Sequence, residues 1–126
     1  KGLTTYTTSQ KNGEYCTWAI QINSKDGRIG IVDGIGNVFK LDAARNQFYY
    51  ENVDGSVFDM TGKKLRVFTP ESIEYETKNY SVKAENYSVQ ATNGSMEIDT
   101  MTVDNSTYSQ SADSWTVRSS HVEFPS

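Results

Sequence analysis

Residues 79–92 read NYSVKAE followed at once by NYSVQAT. Seven residues separate Asn79 from Asn86, Tyr80 from Tyr87, Val82 from Val89 and Ala84 from Ala91. The next units in the same frame are NGSMEID, TMTVDNS, TYSQSAD, SWTVRSS and HVEFPS, without an insertion, and the unit before is SIEYETK. A repeat of fixed period says more about a fold than any single residue does.

The second heptad position holds Ile73, Tyr80, Tyr87, Gly94, Met101, Tyr108, Trp115 and Val122. The fourth holds Tyr75, Val82, Val89, Met96, Val103, Gln110, Val117 and Phe124. Between them, at the third, stand Glu74, Ser81, Ser88, Ser95, Thr102, Ser109, Thr116 and Glu123. A coiled coil needs apolar residues three and four apart among good helix formers. Here they stand two apart among Ser, Thr and Asn, and many are aromatic or β-branched, which is strand alternation. An odd period breaks strict alternation at each joint, so the unit is one short strand plus a bend.

A seven-residue strand spans roughly 20 Å, with neighbours stacked about 4.8 Å apart. One chain closing a full circle in seven residues would leave no room for a core. Three chains winding together, each heptad one side of a triangle, close the coil around a shared axis and leave no lateral edge. The expected fold is therefore all-β, an intertwined homotrimeric β-helix. Its inward core is expected from Ile73, Tyr75, Tyr80, Val82, Tyr87, Val89, Met96, Met101, Val103 and Val117. Gln110 and Asn105 break that parity and need cross-chain amide or water partners.

Composition narrows the function classes. The chain has 126 residues, 36% hydrophobic and 12% aromatic, with mean hydropathy −0.63. Such polarity alone reads as disorder, but the repeat and the aromatic content argue for order. The single Cys16 excludes an intrachain disulfide, and no Cys/His metal spacing is present. No run reaches membrane-spanning length and no secretory segment is recognisable. A net charge of −4 without a basic stripe argues against nucleic acid as a partner. A start at Lys1 and an end in mid-heptad are read as a piece of a longer protein.

The first 71 residues punctuate differently. Residues 1–16 are rich in Thr and Ser with a turn signal at Asn12-Gly13, and residues 1–25 are read as a strand or linker to an upstream domain. Trp18, Ile20 and Ile22 alternate as a strand up to the Asp26-Gly27 turn. Further strands are expected at 28–33, 38–41, 48–50, 57–60 and from Leu65, separated by turns at Gly34–Gly36, Asp42–Asn46, Asp54-Gly55 and Thr61–Lys63. No helix is expected. Gly34-Ile35-Gly36 is not a dinucleotide fingerprint, because a strand follows it and not a helix.

Strand starts at Arg28, Asn37, Gln47, Ser56, Lys64, Ser72 and Asn79 lie nine, ten, nine, eight, eight and seven residues apart. Residues 26–71 are thus read as wider rungs, a β-meander, and residues 72–126 as the narrow helix with seven-residue repeats. The shrinking step implies an object that tapers toward its C-terminus.

GRIGIVDGIGNVFKLD, followed by GSVFDMTGKKLRVFTPESIEYETKNYSVKAE, resembles the central spike proteins of contractile-tail phages, the baseplate assembly protein V family. The resemblance covers residues 26–104. It rests on strand–turn alternation, on the Asp-Gly-x-Ile/Val openings and on the TPESI step into regular repeats. It implies a homotrimeric virion protein at the tail tip, bound to other baseplate or tail-tube proteins and driven mechanically through the host outer membrane. It is related to type VI secretion spikes and is not membrane-integral. Members carry an oligonucleotide/oligosaccharide-binding barrel upstream, which this sequence lacks. Many also end in a His-x-His pair that binds iron. Here His121 is followed by Val122 and Glu123 and has outward parity, so it is read as a surface histidine and only a weak metal candidate.

Catalysis is not expected. Glu74, Glu76, Glu85, Glu97, Asp99, Asp104 and Asp113 fall mostly at outward positions, where solvated flank charges are ordinary, and not as a glycosidase pair. One histidine near the chain end does not make a Ser/His/Asp triad. The reading is a mechanical spike with no cofactor and no turnover. The alternative is a trimeric tail fibre or adhesin segment that binds a host surface glycan.

Overall fold

The computed structural model of the chain describes residues 2–8 and 18–123. The turn expected at Asn12-Gly13, Cys16 and the fourth-position residue Phe124 lie outside the described residues. Alternating β-branched and aromatic residues, cut by Gly, Asn and Asp, fold as strands as far as Phe68, whereas the heptad alternation from residue 72 onward, also expected as strand, forms none within the single chain. These are β1 (Leu3–Thr8), β2 (Trp18–Asn23), β3 (Arg28–Val32), β4 (Val38–Asp42), β5 (Gln47–Glu51), β6 (Val57–Thr61) and β7 (Lys64–Phe68). They form a single antiparallel meander in the order β1 to β7, and the described residues contain no helix.

Register follows the side-chain pattern, because a one-residue slip would turn every apolar residue over. Ile20, Ile31, Phe39, Tyr50, Phe58 and Val67 face one another from β2 to β7. A second row on the same face runs Ile22, Ile29, Leu41, Phe48, Met60 and Leu65. The opposite face carries Arg28, Lys40, Asp42, Gln47, Tyr49, Asp59 and Arg66.

The turns are built from side chains that satisfy local backbone. Asp33 Oδ1 accepts from the N–H groups of Ile35, Gly36 and Asn37 at 3.1, 2.9 and 2.9 Å. Asn52 Oδ1 accepts from the Ser56 N–H at 2.9 Å in the corresponding turn two strands on. At the other end, Asn46 takes the left-handed conformation (φ 49°) that Asn tolerates well. Gly62 opens the two-residue β6–β7 turn at φ 58°, the glycine-first pattern of a type II′ hairpin.

Two sequence expectations are made more specific. β1 pairs with β2 and β2 with β3, so Leu3–Thr8 and Trp18–Asn23, in a stretch read as a strand or linker, are strands of the same sheet as β3 to β7. The shortening step over residues 28–68 does not shorten the strands. β3 to β7 have five residues each, and the change lies in the connections 33–37, 43–46, 52–56 and 62–63. Within a meander each unit is a strand plus a turn, and the turn absorbs the length.

The chain divides into two compact units, Lys1–Ser81 and Val82–Ser126. After β7, residues 69–123 form no helix or strand and make no backbone–backbone hydrogen bond. Their backbone nonetheless bends with a period: at residues 71, 78, 85, 92, 99, 106, 113 and 120. From 78 onward the last residue of each heptad bends, joined at 86, 93 and 100 by the first residue of the next, where alternation has to break.

Candidate assembly interface

An antiparallel sheet with one apolar face normally packs that face on something. Here the described residues include no buried hydrophobic side chain. Ile20, Ile22, Ile29, Leu41, Phe48, Tyr50, Met60, Leu65 and Val67 are all exposed on the face that their register makes common. Phe48 stands edge-on to both Phe39 and Phe58, with centroids 5.2 and 5.9 Å away, so the rings already hold a packed geometry on one side. Ile22, Ile29, Leu41, Phe48 and Met60 line an open cleft of about 530 Å³ on this face, next to Asn46 and Gly62. Covering half-exposed side chains of this size contributes on the order of 1 kcal/mol each, which over two rows is a substantial drive to associate.

Much of the polar face is paired within the chain, although the buried Gln47 Oε1 has no hydrogen-bond partner. Asp42 is the one residue described as buried, at 3% exposure. Burial works against its ionisation, but the Arg45 N–H at 3.2 Å and the Arg28 guanidinium at 3.1 Å outweigh that and hold its carboxyl below the ordinary 3.8. The Thr61 hydroxyl and the Gln47 amide hold Asp59 low in the same way. Tyr49 donates to Glu51 at 2.6 Å, and that bond, with burial behind it, raises its phenol above 10.0. Lys40 Nζ sits 5.1 Å from the Tyr49 ring centre. These groups pair with one another, while the apolar face carries the larger uncovered surface.

The repeats carry a second unmet set. Ile73, Tyr75, Tyr80, Val82, Tyr87, Val89, Met96, Met101, Val103 and Val117 are between 48 and 74% exposed in the single chain. No two of them close a core within one copy, although the Tyr75 and Tyr80 rings approach to 6.0 Å across a heptad joint. Tyr108 donates to Gln110 at 3.1 Å, two residues on and of the same parity, which gives the polar Gln110 a local partner. His121 Nε2 lies 3.5 Å from Glu123 Oε2 with both side chains at least 79% exposed. The described residues hold no group of three His, Cys, Asp or Glu side chains placed for a metal ion.

The sequence pattern suggests the heptad parity, whereas the sheet's two apolar rows are not named from it as a surface. Their signal was available in Ile20 and Ile22, Ile29 and Ile31, and Phe48 and Tyr50, each pair spaced by two. Asp42 was read only as the start of a turn. Its role depends on Arg28, fourteen residues earlier, which becomes its neighbour only through the β3–β4 register. No helix is long and apolar enough to cross a membrane among the described residues. Compared with known proteins, the chain matches no protein-family model and no curated relative.

Proposed function

We propose that this chain is a mechanical part: one third of a homotrimeric β-structured spike at the tail tip of a contractile-tail phage, which pierces the host outer membrane during infection. The observation that carries the reading is the double deficit of the single chain. The sheet keeps an uncovered apolar face, and residues 69–123 have no backbone hydrogen-bond partners of their own while bending every seven residues. Buried or load-bearing backbone needs its N–H and C=O groups paired. A chain built this way completes itself with copies of itself.

In the assembly, the three apolar faces close on one another, and the heptads of the three copies wind together as an intertwined β-helix. Backbone bonds between copies distribute axial load along the needle. The function needs stiffness, a smooth polar exterior and no bound cofactor. Other baseplate or tail-tube proteins hold the N-terminal end, and the membrane is crossed by force without integration.

Pressed against a supported bilayer from a cantilever that holds its N-terminal end, the assembled protein should break through and withdraw still folded. It should pass a column of immobilised lipopolysaccharide without retention. Specific retention together with collapse under load would instead favour a glycan-binding tail fibre.

A further inference from the structure

We propose that residues 72–78 of a second copy pair edge to edge with β7, setting Glu74 and Glu76 opposite Lys64 and Arg66. The proposal rests on the homotrimeric reading above and adds to it the joint at which the single-chain sheet passes into strands shared between chains.

β7 is the last strand of the sheet and bonds only to β6. Its outer edge presents a row of unpaired N–H and C=O groups, which is a template for another strand, and all five of its residues are exposed. The chain's own continuation does not cover that edge. Pro70 follows two residues after Phe68, the backbone bends at 70 and 71, and the Thr69 hydroxyl donates to the Ser72 carbonyl at 2.8 Å. Residues 69–78 make no backbone hydrogen bond to β7. An unpaired strand edge and a stretch of backbone without hydrogen-bond partners therefore sit side by side in the sequence without using each other.

Their side chains match. On β7, Leu65 and Val67 belong to the apolar rows, while Lys64 and Arg66 belong to the polar face. In residues 72–78, Ile73 and Tyr75 have inward parity and Glu74 and Glu76 lie in alternation with them. Paired in phase, apolar meets apolar and two acids meet two bases, in either strand direction, because both pairs are spaced by two. A shift of one residue would lay Glu74 over the apolar row. Among the described residues, none of these four side chains forms an ion pair within its own chain.

The same pair of positions explains which repeat docks. At the third and fifth heptad positions the later units carry Ser81 and Lys83, Ser88 and Gln90, Ser95 and Glu97, or Thr102 and Asp104. Only the unit at 72–78 offers two acids. NYSVKAE and NYSVQAT are nearly interchangeable as strands, so slippage by seven residues between copies has little to oppose it there. The acid–base match at β7 fixes the register for everything that follows.

The full chain tests this without truncation. Equal amounts of unlabelled and ¹⁵N-labelled chain are refolded together and treated with a zero-length carbodiimide, and the linked peptides are read by mass spectrometry. Lys64 should link to Glu74 or Glu76, with about half of those links joining one labelled and one unlabelled peptide. In parallel, Glu74→Lys with Glu76→Lys, and Lys64→Glu with Arg66→Glu, should each lower the melting temperature, and the four changes together should recover most of the loss. A trimer that shows only same-isotope links, or none, and no recovery in the fourfold variant overturns the docking while leaving the trimer standing. A monomeric wild-type chain overturns both.

Discussion

Phe48 meets Phe39 edge to face across the β4–β5 hairpin, with ring centroids 5.2 Å apart and planes at 87°. The pair is diagonal in the register, since Phe48 lies opposite Leu41 and Phe39 opposite Tyr50. Two rings with defined geometry on a face open to solvent mark a half-built core. If copies of the chain complete it, Phe48→Ala should destabilise the assembly by about 3 kcal/mol, as for an aromatic in a sealed core. Lys40→Ala on the opposite face should change the melting point little. Equal, small effects from both in thermal denaturation would place Phe48 outside any core.

Acid should loosen the sheet from its polar face. Burial opposes the charge on Asp42, yet Arg45 and Arg28 keep its carboxyl below 3.8, and Asp59 is lowered by Thr61 and Gln47. A carboxylate lowered in the fold contributes fully above its unfolded pKa, and the contribution is lost as pH falls through the lower, folded value. Stability should therefore hold from neutral pH to about pH 4 and drop below it. Asp42→Asn should be less stable at neutral pH and lose less on acidification. Melting curves over that range that are parallel for the two proteins would remove Asp42 from the account.

Parity in the repeats is tested by neighbours. Val82→Asp or Val89→Asp would bring three unpartnered charges together near one axis and should abolish assembly. Ser81→Asp and Ser88→Asp, one residue away, should cost under about 1 kcal/mol. Size-exclusion profiles that respond alike to both sets would show that the inward face is assigned wrongly.

The β6–β7 turn offers a local control. Gly62 has φ 58° and no atom within 4 Å of where a Cβ would stand. Gly62→Ala should therefore cost only the positive-φ penalty, about 1–3 kcal/mol, without disturbing packing. A larger loss in denaturant titration would mean that the turn is packed against something in the assembly.

Much of this was legible in the residues, because strand alternation is local. Trp18, Ile20 and Ile22, the Asp26-Gly27 turn and the Gly62 turn fall where alternation and turn chemistry expect them, and the heptad joints coincide with bends at 78, 85 and 92. What was not legible depends on pairing between distant strands. Leu3–Thr8 is mostly Thr and reads as either a strand or a linker until its pairing with β2 places it in the sheet. The step from Arg28 to Lys64 shortens in the turns while the strands stay constant, a division that spacing alone does not reveal. Asp42 and Arg28 become partners only through register. The ten inward candidates of the repeats stay at least 48% exposed within one copy, even where the Tyr75 and Tyr80 rings approach each other, so their role rests on the proposed assembly.

That makes the mass of the assembled particle the most direct measurement. Sedimentation equilibrium of the full chain at micromolar concentration should give about 42 kDa, three times the 14.1 kDa of one copy, with no folded species at the mass of a single chain. A compact, cooperatively melting particle of 14.1 kDa would contradict the account, because it would mean that one copy covers its apolar face and pairs its repeats alone.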